Sequence, residues 1–449
     1  MTLSLTELAA CFEGVIPSIL CTVGADGTPN ISYLSHVTRL DDEHVGLSDQ
    51  FFSKTARNIR ENPRAALLVV NPHDGAQYRL DLQYCETVGS GPVFERMAAD
   101  LRATSAQVGM TDVMRLRGVA IHRVLGLRAV RSPLAAAPPE AWRGSALPRM
   151  AAVVDAFADR TELGEIVDAA LDALEAAFRH GATMILLHDP ARDCFVTLGS
   201  RGYGRTGIGA DVLPGEGLIG LSGKEGRAIR VSDASRLRRF GAAVEASSEQ
   251  ENRTRSVALP SLPGAMSQIA LPMATQGRIR GVLFLESPKR LAFSAEDEAA
   301  LALIARQLAA AIALSEADAA EAAPDAPIPR RPSEVASPHI RVVHHAHDDS
   351  VFIEHDYLIK GVPGRILIHM LEAFLSAGQV DFSNREIRTD RALRLPGLKD
   401  NLETRLLLLR RRLEEKNAPI RLLRLSRGRI RLHVAGHPIV MSDRKSGAQ

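Results

Sequence analysis

Three hydrophobic rhythms follow one another along the chain. Between residues 15 and 130, apolar and polar positions alternate in short runs broken by turn residues. IPSILCTV and NISYLSHV flank Ala25-Asp26-Gly27-Thr28-Pro29, the pattern of two strands and a hairpin. HVGLSD, RAALLVVN, QYRLDLQYCETV and VAIHRVLGLRAV read as further strands. SKTARNIRENP reads as a short helix, with Ser53 as N-cap and Pro63 as its stop. From residue 149 the period changes: Leu163, Ile166, Val167, Ala170, Leu171 and Leu174 recur at helical spacing, then strand-like TMILLHD and CFVTLGSRG follow. The third rhythm begins near residue 339. A strand-like opening leads into a helix with Ile366, Leu367, Met370, Leu371 and Leu375 on one face, ended by Gly378. Ser383 and Glu386 form a capping box for a shorter helix. A third helix aligns Leu402, Leu406, Leu409 and Leu413, and IRLLRLSRGRIRLHV reads as a basic hairpin.

Two Pro/Ala-rich stretches without period, 131–148 and 316–338, separate these rhythms and behave as spacers. The chain of 449 residues therefore divides into 1–130, 149–315 and 339–449, an α+β multidomain protein. Its net charge of +2 hides an asymmetry. From His339 onward 20 Lys+Arg face 13 Asp+Glu, leaving the upstream part with 35 against 40. A basic end on an acidic body points to an anionic partner, duplex DNA first.

The four cysteines, Cys11, Cys21, Cys85 and Cys194, have no C-x-x-C spacing, which argues against a disulfide framework and against zinc. No basic n-region precedes an apolar run at the N-terminus, so a cytoplasmic protein is expected. The most apolar run, Leu301–Leu314, contains Arg306 and Gln307 and reads as an amphipathic helix rather than a membrane span. His344, His345 and His347 cluster after the second spacer and read as a polar tract rather than a metal site.

The candidate chemistry comes with resemblances. Lys54 and Thr55 sit in the first turn of their helix, where free N–H groups and the dipole favour a phosphate. With the strands around it, QFFSKTARNIRENPRAALLVV resembles the FMN-binding split barrel of the pyridoxamine 5′-phosphate oxidase-like superfamily. The resemblance implies that Ser53, Lys54 and Thr55 meet the flavin phosphate, with Ser48 and Gln50 approaching it. It places Ser35, His36 and Val37 near the isoalloxazine ring, where true oxidases carry an arginine. FMN is the implied cofactor, with haem as the alternative.

Residues 149–315 are similar to a GAF domain. Gly215-Glu216-Gly217, Val231-Ser232-Asp233, the hairpin at Gly277 and Gly281, and Phe293-Ser294-x-Glu296-Asp297 fall in family order. This implies an unnamed small ligand and paired end helices, hence a homodimer; no catalytic set is visible. Residues 339–449 resemble the winged helix-turn-helix effector domain of OmpR-type regulators. That resemblance puts Thr404, Arg405, Arg411 and Arg412 on a helix for the major groove, with Arg427 and Arg429 on the wing.

The function these features imply is a ligand- or redox-responsive transcriptional regulator. Two alternatives stand beside it: an FMN-dependent oxidoreductase with a regulatory GAF domain, and a signalling scaffold whose winged helix binds protein.

Overall fold

The computed structural model describes residues 3–13, 16–34, 36–49, 53–107, 116–130, 145–234, 257–321, 339–390, 393, 395, 402–426 and 428–443. Ser35, Gln50 and Arg427, together with the side chain of Ser53, lie outside the described residues.

The N-terminal domain is a seven-stranded antiparallel sheet curled into a half-barrel. Its strands are β1 (Ser18–Val23), β2 (Pro29–Leu34), β3 (Val37–Arg39), β4 (His44–Asp49), β5 (Arg64–Val70), β6 (Gln77–Val88) and β7 (Gly118–Val130). The spatial order is β2-β1-β5-β6-β7-β4-β3. Alternation along the strands turns Leu20, Leu34, Leu47, Leu67, Leu80 and Leu82 into one buried core. Helix α1 (Ser53–Glu61) lies where the sequence predicts it. A second helix, α2 (Pro92–Gln107), was not expected, and it covers Val119 with Met97 and Leu101.

The middle domain opens with α3 (Ala146–Ala158) and α4 (Leu163–Phe178). A six-stranded sheet follows, in the order β10-β9-β8-β13-β12-β11. Its strands are β8 (Ala182–Asp189), β9 (Cys194–Arg201), β10 (Asp211–Val212), β11 (Ile229–Val231), β12 (Ser267–Thr275) and β13 (Arg278–Ser287). α5 (Gly217–Glu225) lies on one sheet face, while α3, α4 and α6 (Ala295–Glu321) cover the other. The predicted stripe of α4 is buried throughout. The β12–β13 turn uses two left-handed residues, Gln276 and Gly277, as a tight antiparallel hairpin requires.

The start of α6 is closed by a reciprocal box. The Asp297 amide donates to Ser294 Oγ at 3.1 Å and the Ser294 amide donates to Asp297 Oδ2 at 3.0 Å. Glu296 instead accepts the Ala146 amide, so it ties down α3. By length and hydropathy α6 could cross a membrane, but Leu301, Ile304, Leu308 and Ile312 are buried in the domain's own core.

The C-terminal module contains β14 (His339–His345), β15 (Ser350–Ile353), β16 (Asp356–Ile359) and α7 (Val362–Ala377). Then come β17 (Asp381–Ser383), α8 (Asn384–Thr389), α9 (Leu402–Glu415), β18 (Ile420–Ser426), β19 (Arg429–Val434) and β20 (His437–Ser442). The expected helices and hairpin are present in the expected order. Two sheets frame them, β16-β15-β14-β20 and β17-β19-β18. β20 runs parallel to β14, a pairing the sequence did not announce. Gly378 ends α7 in the left-handed region at φ 62°, and the Glu386 amide donates to Ser383 Oγ at 3.1 Å to start α8.

The middle domain and the C-terminal module share one continuous apolar core, in which Leu163 and Leu171 belong to the same cluster as Leu406, Leu407 and Leu409. The barrel keeps its own core and meets the middle domain through polar contacts. Arg102 pairs with Glu225 at 2.8 Å, and Arg230 with Glu13 at 3.0 Å.

Candidate functional sites

The residues expected to hold a flavin divide into two groups. Lys54 is exposed at the start of α1, near the helix's positive end. Ser48 is buried and, among the described residues, its hydroxyl has no partner, the condition of a group awaiting a ligand oxygen or nitrogen. Both fit a bound flavin.

Thr55 does not fit. Its hydroxyl turns into the barrel, 2.7 Å from Ser32 Oγ and 3.0 Å from Asn30 Nδ2. This follows from its place on α1, since Thr55, Asn58 and Ile59 form the face buried against the sheet. Val37 is likewise a core residue. His36 stands 3.6 Å from Asp100 on α2, which also contacts Arg227 of the middle domain at 3.5 Å. His36 therefore takes part in a bridge between domains.

The middle domain shows no nucleophile–base pair among the described residues. Cys194 is buried, and burial pushes its thiol up, as a core cysteine's should be. Sequence reasoning missed the polar group on the sheet face opposite α3, α4 and α6. There Glu286 accepts from Gln268 Nε2 at 2.7 Å and from the Leu262 amide at 3.2 Å. Burial pushes the Glu286 carboxyl up, and the nearby Tyr203 phenol is pushed up by burial and by Glu286. The histidine tract after the second spacer is spent on local partners. His344 reaches Ser442 and Asp349, and His345 reaches Asp443 at 2.6 Å. No group able to hold a metal occurs among the described residues.

The residues expected to read DNA are where the structure departs most from the sequence. α9 does not offer Thr404, Arg405, Arg411 and Arg412 to solvent; the three arginines are buried. Arg411 Nη1 donates to the Leu198 carbonyl at 2.7 Å, and Nη2 to Gly164 O at 3.3 Å and Asp168 Oδ2 at 2.8 Å. Arg405 is 3.5 Å from Asp189, and Thr404 donates to Glu316 on α6 at 2.9 Å. Arg412 turns to its own module, donating to Leu358 O at 2.8 Å and pairing with Glu415. Arg429 starts β19, half-buried.

The physical reason is that α9 is sandwiched. The leucine face packs on its own module, while the arginine face meets α4, β9 and α6 of the middle domain. Periodicity marks which face is apolar, but not which neighbour covers the other. A signal lay in Gly199 on β9, because a Cβ there would come within 2.6 Å of Arg411 Nη1.

Comparison with known proteins agrees with the first two domains. Residues 5–124 match the pyridoxamine 5′-phosphate oxidase family, and residues 160–313 match the GAF domain family. The chain thus carries a pyridoxamine 5′-phosphate oxidase-like barrel followed by a GAF domain. Among solved structures, similarity extends to an FMN-binding protein from Syntrophomonas wolfei. It is 18% identical, covers 29% of this chain and 88% of that one, and has a TM-score of 0.25. The GAF domain of an Acinetobacter phosphoenolpyruvate-protein phosphotransferase is 22% identical over 38% of this chain and 94% of its own, at TM-score 0.32. A free methionine-R-sulfoxide reductase from Neisseria meningitidis is 20% identical over 40% and 96%, at TM-score 0.31. An uncharacterized protein of Methanocaldococcus jannaschii is 37% identical over 81 residues, 17% of this chain. The chain spans 54% of that relative's length.

Proposed function

We propose that this chain is a ligand- or redox-responsive regulator whose GAF domain restrains a basic, winged-helix-like output module. The observation that carries this reading is the burial of the α9 arginines against GAF carbonyls and carboxylates. The same guanidinium groups that suit phosphates and base edges are held by Asp168, Asp189 and backbone oxygens. A sensor state that loosens this contact frees a cationic helix; a state that tightens it withholds the helix. The ligand acts only through its differential affinity for the two arrangements.

Fluorescence anisotropy with duplex DNA tests this on the full chain. Arg424 on β18 pairs with Glu162 at the start of α4 at 2.8 Å, as Arg411 pairs with Asp168. Glu162→Lys/Asp168→Lys, which turns both pairs into repulsions, is expected to bind at least about tenfold tighter than wild type at roughly 50 mM salt. That binding should fall steeply as salt rises, in proportion to the phosphates neutralised. If neither protein binds DNA, or both bind alike, the restrained-output reading fails.

A second reading rests on Ser48 and Lys54: an FMN-dependent oxidoreductase carrying a regulatory GAF domain. When bound, FMN would supply redox chemistry, with Lys54 holding its phosphate and Ser48 bonding to it. Flavin absorbance that co-purifies with wild type and is lost in Lys54→Ala supports the site. Turnover of a reduced nicotinamide by the loaded protein separates enzyme from sensor.

A further inference from the structure

The barrel and the GAF domain meet through a group of alternating charges. α2 supplies Asp100 and Arg102, and the end of α5 supplies Glu225 and Arg227. Arg102 pairs with Glu225 at 2.8 Å, Glu225 takes Arg227 Nε at 2.7 Å, and Arg227 Nη1 reaches Asp100 at 3.5 Å. Arg227 is fastened to α5, because its carbonyl accepts the Ser222 hydroxyl at 2.9 Å. α5 in turn covers one apolar face of the GAF sheet with Leu218, Ile219 and Leu221.

Asp100 continues this series of contacts into the barrel. His36 Nε2 lies 3.6 Å from Asp100 Oδ2. The His36 carbonyl accepts the Ser48 amide at 3.2 Å. One residue therefore separates the α2 carboxylate from Ser48, whose buried hydroxyl has no partner among the described residues. Burial acts to raise the Asp100 pKa, but His36 and Arg227 outweigh it and hold the carboxyl below its ordinary range, charged.

α2 is suited to move between the two domains. It rests on the barrel through a small core of its own, Met97 and Leu101 on Val119, separate from the main barrel core. A helix held by few apolar contacts and by partly exposed charges shifts at lower cost than a core strand. Glu13 keeps the domains docked meanwhile, bound to Arg230 at 3.0 Å and accepting the Ser232 hydroxyl at 3.0 Å.

We infer that α2 is a lever between the barrel and the GAF domain: a change around His36 and Ser48 passes through Asp100 to α5, and a change at α5 passes back. Coupling of this kind is reciprocal, so each side must report the other. The lever concerns a different contact from the α9 restraint, and it stands whether or not a flavin is bound.

Hydrogen–deuterium exchange of the full chain tests it with one substitution on each side. Arg227→Gln, made in the GAF domain, is expected to speed exchange of the β4 amides at least about threefold, and His36→Gln, made in the barrel, to do the same over α5. α4 lies in the core that the GAF domain shares with the C-terminal module, and its exchange should not change. Arg227→Lys, which keeps the charge, should return most of the effect. In an Asp100→Asn background neither substitution should be felt across the interface. Exchange that changes only in the domain carrying the substitution overturns the inference. So does a cross-domain change that persists in Asp100→Asn, and so does one that spreads equally to α4, which is general loosening.

Discussion

Arg411 and Asp168, 243 residues apart in the chain, meet at 2.8 Å, and the same guanidinium donates to the Leu198 carbonyl on β9 of the GAF sheet. One side chain thus joins α4 and β9 of the GAF domain to α9 of the C-terminal module. Burial pushes the Arg411 pKa down, and Asp168 is the charge that opposes this.

Replacing Arg411 with Ala leaves two backbone carbonyls without their donor and a leucine-lined void behind. The expected cost is about 2–3 kcal/mol, measured by denaturant unfolding of the full chain. Asp168→Asn should cost less than about 1 kcal/mol, because its carboxylate is half-exposed. Equal costs for the two variants would contradict this account of the contact.

Gly199→Ala puts a methyl 2.6 Å from Arg411 Nη1 and 3.0 Å from Leu171 Cδ1. It should destabilise by about 1–3 kcal/mol. In a double-mutant cycle with Arg411→Ala the two losses should fall short of additive, since the second change removes the clashing group. Simple additivity would show that Gly199 serves the sheet and not the arginine.

Two histidines set an acid limit. His122 in the barrel and His180 in the GAF domain ordinarily titrate near 6.5, and burial pushes both down to about 4. Below pH 6.5 the unfolded chain takes up protons that the folded chain refuses. Stability is therefore full above that pH and drains as pH falls toward 4, by about 1.4 kcal/mol per pH unit for each histidine. Thermal unfolding between pH 7 and 4.5 should show this, with a shallower decline for His122→Leu. A melting temperature that does not move across this window would refute it.

Thiol reactivity should follow burial. Cys21 and Cys85 are exposed, while Cys11 and Cys194 are buried, with Cys11 pushed up to about 12. A chromogenic disulfide reagent should label the exposed pair quickly in native protein and the buried pair only after denaturation. Fast labelling of a third thiol would place one of the buried cysteines in a mobile site.

Much of the architecture was legible. Leu163, Ile166, Val167, Ala170, Leu171 and Leu174 fall on one buried face because apolar residues three and four apart line up on a helix and scatter to both sides of a strand. Ser294 and Ser383 mark helix starts because a short hydroxyl beside free amides has a specific use there. α2 was legible but overlooked, since Phe94, Met97 and Leu101 recur at helical spacing and pack together. The β14–β20 pairing was not legible, because strand register over such a separation is set by tertiary packing. The candidate sites were read less well. Thr55 looked like a phosphate ligand and is a core hydroxyl, and the α9 arginines looked solvated and are buried. Residue type and spacing describe a side chain's chemistry, whereas the neighbouring domain decides what it faces.

The shared core of the GAF domain and the C-terminal module has a consequence for biosynthesis. On the ribosome the GAF sequence emerges well before α9, so the surface around Gly164, Asp168 and Leu198 stays wet and apolar groups beside it stay uncovered until Leu407 and Arg411 arrive. Closure waits longer still, because β14 cannot complete its sheet before β20 has been synthesised. Late, long-range closure of this kind is slow and leaves a transient sticky surface. Truncation upstream of α9 should therefore yield a GAF domain that expresses but aggregates, while the barrel, with its separate core, is spared.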